Sequence, residues 1–330
     1  MILNQSKDHA YNISVVGVGY WGKNLVRNYY ELGSLHTICD RDTEVLRTFT
    51  DRYRGVRTTT DYNNILNNPE IHGVVIPLPA EMHYHFAHEA LMANKHVYVE
   101  KPLTINIHDA EKLVSLAREK KRILMVGHLL HYHPVFQRLK ELVLSNELGE
   151  IYYIYSNRLS LGKIRTEENI LWSFAPHDIS MILSLCGEEP SYVHATGGGF
   201  IKKDILDMAT INLFFPNGIK SHIFVSWLHP FKEHKLVVVG QKKMAVFSDS
   251  EEWDNKLLLF SHSINWDNGV PVPVKTGSER VVVEKSEPLK NECKHFLDCI
   301  KNDSVPITDG VEGINVLKVL HKSQKCIDII

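Results

Sequence analysis

Ile13-Ser-Val-Val-Gly17-Val-Gly19-Tyr-Trp-Gly22 is the stretch that decides the fold. Ile13–Gly17 is a short apolar run closed by glycine, the pattern of a buried strand. Tyr20–Leu32 follows with helical periodicity. Between them Gly17, Gly19 and Gly22 form a Gly-x-Gly-x-x-Gly turn. The first glycine permits the tight turn, the second lets the backbone approach a pyrophosphate, and the third lets helix and strand pack closely. The helix N-terminus then turns its free N–H groups toward phosphate. Three glycines alone are a weak signal. The strand before, the helix after and an acid about 20 residues on make it specific. That acid is Asp40. Its carboxylate can accept hydrogen bonds from the adenosine ribose and would repel a 2′-phosphate, which predicts NAD rather than NADP. Arg41 beside it can meet a phosphate, and Tyr20 and Trp21 sit inside the turn, so all three join the expected cofactor contacts.

Outward from this turn the same alternation continues. Leu35–Asp40, Gly73–Pro77, His96–Glu100 and Ile123–Gly127 read as strands, and Glu44–Tyr53, Tyr84–Ala93 and Asp109–Glu119 as helices. The expectation is an α/β Rossmann domain, a doubly wound parallel sheet, over residues 1–128. After about residue 150 the pattern changes to β-rich stretches: Ile151–Leu161, Met208–Pro216, Ile219–Trp227 and Lys235–Phe247. Pro216-Asn217-Gly218 is a hairpin signal. Helical patterns lie at Pro176–Cys186 and Val311–Lys325. Residues 129–330 are therefore expected to form an α+β domain with a large, mostly antiparallel sheet, serving substrate binding and oligomerisation.

A chain of 330 residues is comfortable for two domains. Its 37 basic and 39 acidic residues leave no excess charge for nucleic acid or a membrane surface. Five scattered cysteines fit a reducing compartment. The opening residues 1–12 are polar and lack a signal core, and no run of about 18 apolar residues exists, so cytoplasm is the expected location and no membrane insertion is expected. There are 19 histidines, several in close pairs, but no His-Glu-x-x-His or Cys/His set, and no metal is expected.

Three further segments carry a family resemblance: Val74–His83 with its Pro-x-x-x-His loop, Lys95–Pro102 ending in Glu-Lys-Pro, and Ala175–Gly187 with a histidine on a helix. With the glycine turn they make essentially the whole chain resemble the glucose-fructose oxidoreductase / inositol dehydrogenase (Gfo/Idh/MocA) family of sugar dehydrogenases. The resemblance implies a cofactor loop containing Leu78, Pro79 and His83. It also implies that Glu100, Lys101 and Pro102 lie beside the nicotinamide, and that Lys101 and His177 are catalytic. The physical chemistry agrees. Ligands of open α/β sheets sit at the carboxyl ends of strands, where Lys101 is expected. Its ammonium can hydrogen-bond the substrate oxygen and stabilise alkoxide charge, or, with a lowered pKa, take the proton. Histidine titrates near neutrality and suits the same proton. The family often shows Asp four residues before this histidine and three after. Here those positions are Ser173 and Ser180, so which of Lys101 and His177 is the base stays open. Asp178 is adjacent in sequence but points elsewhere on a helix.

Tyr20–Asn24 and Ser156–His177 resemble the members acting on nucleotide-linked amino sugars. The resemblance implies NAD-dependent oxidation of C3 of UDP-N-acetylglucosaminuronate to the 3-keto sugar in O-antigen sugar biosynthesis, with an aminotransferase acting next. It implies a homo-oligomer too, a dimer or tetramer. Arg158, Lys163 and Arg165 form a cationic cluster suited to a diphosphate or carboxylate. Asn169 can hydrogen-bond a hydroxyl or the N-acetyl group, and His128, at a strand end, can line the cleft. Two other readings are another NAD(P)-dependent sugar or polyol dehydrogenase or ketoreductase, and a non-catalytic NAD-binding regulator. Lys101 and His177 together argue against the second.

Overall fold

A computed structural model of the chain describes residues 11–328; residues 1–10, most of the polar opening stretch, lie outside the described residues. The short apolar runs become strands and the amphipathic stretches become helices. In chain order they are β1 (Ile13–Val16), α1 (Gly22–Glu31), β2 (Leu35–Cys39), α2 (Thr43–Thr50), β3 (Arg57–Thr59) and α3 (Asn63–Leu66). Then come β4 (Gly73–Ile76), α4 (Ala80–Met92), β5 (His96–Glu100), α5 (Ile107–Lys120) and β6 (Leu124–Gly127). The six strands form one parallel sheet in the order β3-β2-β1-β4-β5-β6. Every residue of β1, β4 and β6 is buried, as a sheet covered on both faces requires. In α1, Gly22, Leu25, Val26 and Tyr29 recur at helical spacing and form its buried face. β3 reads Arg-Thr-Thr, an exposed edge strand too polar to show as an apolar run.

The later part begins with α6 (Pro134–Leu144), β7 (Ile151–Leu159), α7 (Ile170–Cys186), β8 (Tyr192–Gly198), β9 (Met208–Phe214), β10 (Lys220–Ser226) and β11 (Glu233–Gly240). It continues through β12 (Met244–Ser248), β13 (Leu257–Phe260), β14 (Ser263–Asp267), β15 (Val270–Val274) and β16 (Ser278–Arg280), to α8 (Pro288–Asn302) and α9 (Gly310–Asp328). Eight strands make a sheet ordered β16-β13-β12-β11-β7-β10-β9-β8, antiparallel except where β10 pairs with β7. β9 and β10 are the hairpin signalled by Pro216-Asn217-Gly218, with Gly218 at φ +90°. Ile154, Ser156 and Arg158 of β7 alternate onto the buried side, while Tyr153, Tyr155 and Asn157 face the half-exposed side. β14 and β15 form a separate hairpin with all ten residues exposed.

The chain packs as two compact units: residues up to Leu129 with Glu287–Ile314, and Leu130–Ser286 with Asn315 onward. The continuous 129–330 block expected from the change of pattern is thus interrupted. The cause is the apolar stripe of α8, Leu289, Cys293, Phe296 and Ile300, all buried. The Phe296 ring lies 3.1 Å from where a Cβ on Gly73 would sit, and it meets Tyr98 edge-on at 5.9 Å. Among the described residues no helix is long and apolar enough to cross a membrane.

Candidate active site

The glycine turn is built for close approach. Gly17 has φ +97°, a left-handed conformation that side chains resist. A Cβ on Gly22 would lie 2.0 Å from the Gly17 carbonyl oxygen, so helix and strand could not close. A Cβ on Gly19 would meet nothing within 4 Å, which leaves that side of the turn open to a ligand. The start of α1 has no side-chain cap and no acid in its first turn, whereas Asp42 caps α2 and Asn106 caps α5. An uncapped, uncompensated helix N-terminus beside an open glycine is what a pyrophosphate fits. Asp40 follows β2; its carboxylate accepts from the Val18 N–H at 2.8 Å and the Asp42 N–H at 3.0 Å, which fixes it facing the turn. Arg41 and Tyr20 are exposed, and Leu78 packs over Gly17. These residues fit a dinucleotide.

Glu100, Lys101 and Pro102 leave the carboxyl end of β5, and the Lys101–Pro102 peptide is cis. Glu100 accepts from the Trp21 indole N–H at 2.7 Å and the Tyr98 hydroxyl at 3.2 Å, which ties the glycine turn to the Glu-Lys-Pro strand end. Its carboxylate also fills the space where a Cβ on Gly127 would stand. Burial raises the Glu100 pKa, against the pull of the Trp21 hydrogen bond and the Lys101 charge. Glu292 of α8 is fully buried, and neither carboxyl oxygen has a hydrogen-bond partner among the described residues. Burial, reinforced by the Glu100 charge, holds its pKa well above 4.5. Burial and the Glu100 charge both favour the neutral form of this carboxyl. The folded state therefore keeps a proton that the unfolded chain releases above about pH 4.5. The stability this gives is full below that value and is lost as pH rises through the folded pKa. Glu292→Gln removes the titration. Urea unfolding should show the variant gaining on the wild type as pH rises above about 4.5, and parallel curves would show that Glu292 is ionised in the fold.

Pro79 opens α4 and His83 lies in its first turn. Both His83 nitrogens meet carbonyl oxygens, Nδ1 that of Pro102 and Nε2 that of Leu78, each at 2.7 Å. Burial lowers its pKa despite those carbonyls. His83 was expected in the cofactor loop, and its two ring nitrogens join the loops that follow β4 and β5.

His128 stands one residue past β6, buried, with Nδ1 2.5 Å from Glu312 Oε2. Its Nε2 is buried without a hydrogen-bond partner among the described residues. Sequence reading missed Glu292 and Glu312. The available signal for Glu312 was an Asp309-x-x-Glu312 helix start, in which Asp309 accepts the Glu312 N–H at 2.9 Å.

In the other unit His177 is half-buried on α7. The cationic cluster expected beside it does not form. Arg158 is buried on the covered face of β7, and its Nε donates to Asp178 Oδ2 at 2.6 Å while Nη2 reaches Oδ1 at 3.2 Å. Ser156 adds a third donor to Asp178, at 2.5 Å. Nη1 of Arg158 faces His234, whose pKa is pushed down to about 3 by burial and the Arg158 charge. Strand alternation, not chain proximity, decides this: residue 158 shares the face of residues 154 and 156. Arg165 pairs with Glu168, and Lys163 is exposed with Glu167 at 3.9 Å. Asn169 is the N-cap of α7, accepting from the Trp172 N–H at 3.3 Å and donating to Gln324 at 3.0 Å, so its amide is committed to the fold. Ser180, at a position where the family often has Asp, instead meets His131 Nε2 at 2.7 Å. Among the described residues no three His, Cys, Asp or Glu side chains gather as metal ligands.

The match to known proteins follows this division. Residues 11–128 match the family's oxidoreductase domain, described as an NAD-binding Rossmann fold, and residues 136–246 match its C-terminal domain. A UDP-N-acetylglucosamine 3-dehydrogenase of Acidithiobacillus ferrooxidans is 26% identical over 92% of this chain and 93% of its own. Its structure superposes with a TM-score of 0.85 at 25% identity, covering 96% of this chain and 97% of that one. A myo-inositol 2-dehydrogenase of Thermotoga maritima is 24% identical over 72% of this chain and 75% of its own. The fold is shared by a levoglucosan dehydrogenase solved with NADH and levoglucosan, at 18% identity and a TM-score of 0.82, covering 97% of each chain. With both domains matched and its relatives named as dehydrogenases of sugars and polyols, the chain belongs to the Gfo/Idh/MocA family of oxidoreductases.

Proposed function

We propose that the protein oxidises the C3 hydroxyl of a UDP-linked N-acetylated amino sugar to the ketone, with NAD as acceptor. The observation carrying this reading is its likeness, over nearly the whole of both chains, to a UDP-N-acetylglucosamine 3-dehydrogenase. Bound NAD would take the hydride from C3. Lys101, leaving β5 beside Glu100, hydrogen-bonds the reacting hydroxyl and neutralises charge that grows on its oxygen. His177 is the second proposed catalytic residue, a histidine suited to hold or take a hydroxyl proton. The uronate form of the sugar is less favoured than the uncharged form. Arg158, Arg165 and Lys163 each face a carboxylate of the chain itself, which supports the uncharged sugar. A 3-keto amino sugar is in turn substrate for an aminotransferase.

Mass spectrometry after incubation with NAD and either UDP-N-acetylglucosamine or its uronate tests this. A product lighter by two hydrogens from the uncharged sugar supports it, reaction with the uronate alone restores the uronate assignment, and neither sugar reacting moves the search to free polyols.

Asp40 sets the cofactor preference. Asp40→Ala is expected to weaken NAD binding about tenfold to a hundredfold, the loss of charge-assisted hydrogen bonds to the ribose, while NADP binding holds or improves. Fluorescence titration with both dinucleotides reads this, and equal losses for the two would remove Asp40 from the ribose.

Assembly as a homo-oligomer belongs to the same reading. It is supported by the hairpin of β14 and β15, which exposes Ile264, Trp266 and Val270. A two-stranded hairpin is marginal alone in water. A monomer by sedimentation velocity would end this part of the proposal.

A further inference from the structure

The carboxyl edge of the parallel sheet carries its functional groups in spatial order. Asp40 follows β2, the glycine turn follows β1, Leu78 follows β4, Glu100 and Lys101 follow β5, and His128 follows β6. With Asp40 at the adenosine end, a dinucleotide laid along this edge brings its nicotinamide toward Lys101. The end of β6 is one strand spacing farther, about 4.8 Å, on the side away from the adenosine. What lies there in a productive complex is substrate rather than cofactor.

At that point His128 is 2% exposed, with Nδ1 2.5 Å from Glu312 Oε2. A carboxylate accepts only, so Nδ1 carries a proton, and a ring with that single proton leaves Nε2 as a bare acceptor. That atom is buried and has no hydrogen-bond partner among the described residues. A buried acceptor of fixed tautomer is complementary to an O–H donor, and a sugar presents several. Resting on the amino-sugar reading above, we infer that Glu312 positions His128 so that Nε2 accepts a hydrogen bond from a sugar hydroxyl of the substrate. Glu312 fixes the ring without touching substrate. The nicotinamide carboxamide and ribose hydroxyls are also donors, but they arrive with NAD, and the test separates them from the sugar.

Long-range nitrogen–proton NMR of the histidine side chains, in 15N-labelled protein assigned with His128→Asn, reads the tautomer directly. NAD-loaded protein is expected to show His128 protonated at Nδ1 and bare at Nε2. Adding UDP-N-acetylglucosamine should move the Nε2 resonance toward its hydrogen-bonded position, whereas UDP should not. An Nε2–H tautomer, or a full shift on adding NAD alone, overturns the proposal. The tautomer is read before any sugar is present, so this arm stands apart from the substrate assignment. Calorimetry on the same samples separates the remaining failures. Sugar binding with an unmoved Nε2 sinks this inference alone, and absence of sugar binding sinks the substrate reading and this hydroxyl assignment with it. Glu312→Gln should weaken sugar binding about tenfold and leave NAD affinity unchanged. An equal loss of both would make the pair structural.

Discussion

Lys101→Met is expected to lower kcat about a thousandfold while NAD still binds with wild-type affinity. Methionine keeps much of the length and apolar character of the lysine stem and removes the ammonium. The backbone of the strand end, held by Glu100 and its contacts with Trp21 and Tyr98, does not depend on that charge. The cofactor cradle should therefore survive. What is lost is the cation that follows β5, proposed above to stabilise oxygen charge at the hydride-transfer step. A loss in kcat without a loss in NAD affinity marks an interaction made chiefly in the transition state. Steady-state kinetics with the sugar and an independent NAD titration check the two halves. A variant that keeps more than about a tenth of wild-type kcat would move Lys101 out of the chemistry and leave His177 as the proton acceptor.

Arg158→Met is expected to be strongly destabilising to the β-rich unit. Asp178 is 1% exposed and takes two hydrogen bonds from the guanidinium. Removing the cation leaves a buried carboxylate with Ser156 as its remaining short donor. Breaking one side of a buried ion pair costs about 3–5 kcal/mol, for a melting shift of roughly 6–20 °C in a unit of this size. Asp178→Leu together with Arg158→Met should recover much of it, since a buried pair exchanged for apolar groups is often neutral. Differential scanning calorimetry of the single and double variants measures this. A substrate-binding Arg158 predicts the reverse: an unchanged melting temperature and a raised KM. That outcome would return Arg158 to the substrate list.

The parallel sheet was legible because its signals are local. Val-rich runs, a glycine turn and an acid at the end of the next strand sit within about 30 residues of one another, and each has one physical reading. The family's Glu-Lys-Pro placed Lys101 in the same way. The polar partners were harder. Arg158, Lys163 and Arg165 are neighbours in sequence and looked like one cationic patch. Yet strand alternation turns Arg158 inward onto Asp178, while the other two pair with glutamates of their own loop. Period-two counting from Ile154 would have revealed this. Asn169 carried a legible cap signal, an asparagine just before an apolar helical run. Nothing local announces Glu292 or Glu312. Glu292 lies 192 positions after Glu100 in the numbering, and its meaning comes from a contact that only the folded sheet creates.

The return of the chain into its first unit has a consequence for biogenesis. Ile13, Gly73 and Tyr98 are made early, but the α8 side chains that cover them, Phe296 and Ile300, leave the ribosome only after the entire eight-stranded sheet has been synthesised. At about 5–20 residues per second the wait from Tyr98 to Phe296 is roughly 10–40 s. The nascent dinucleotide module must wait through it with an apolar strip uncovered. The same strip would be bare in a fragment cut at residue 129, which makes such a fragment a client for chaperones rather than a portable NAD-binding domain.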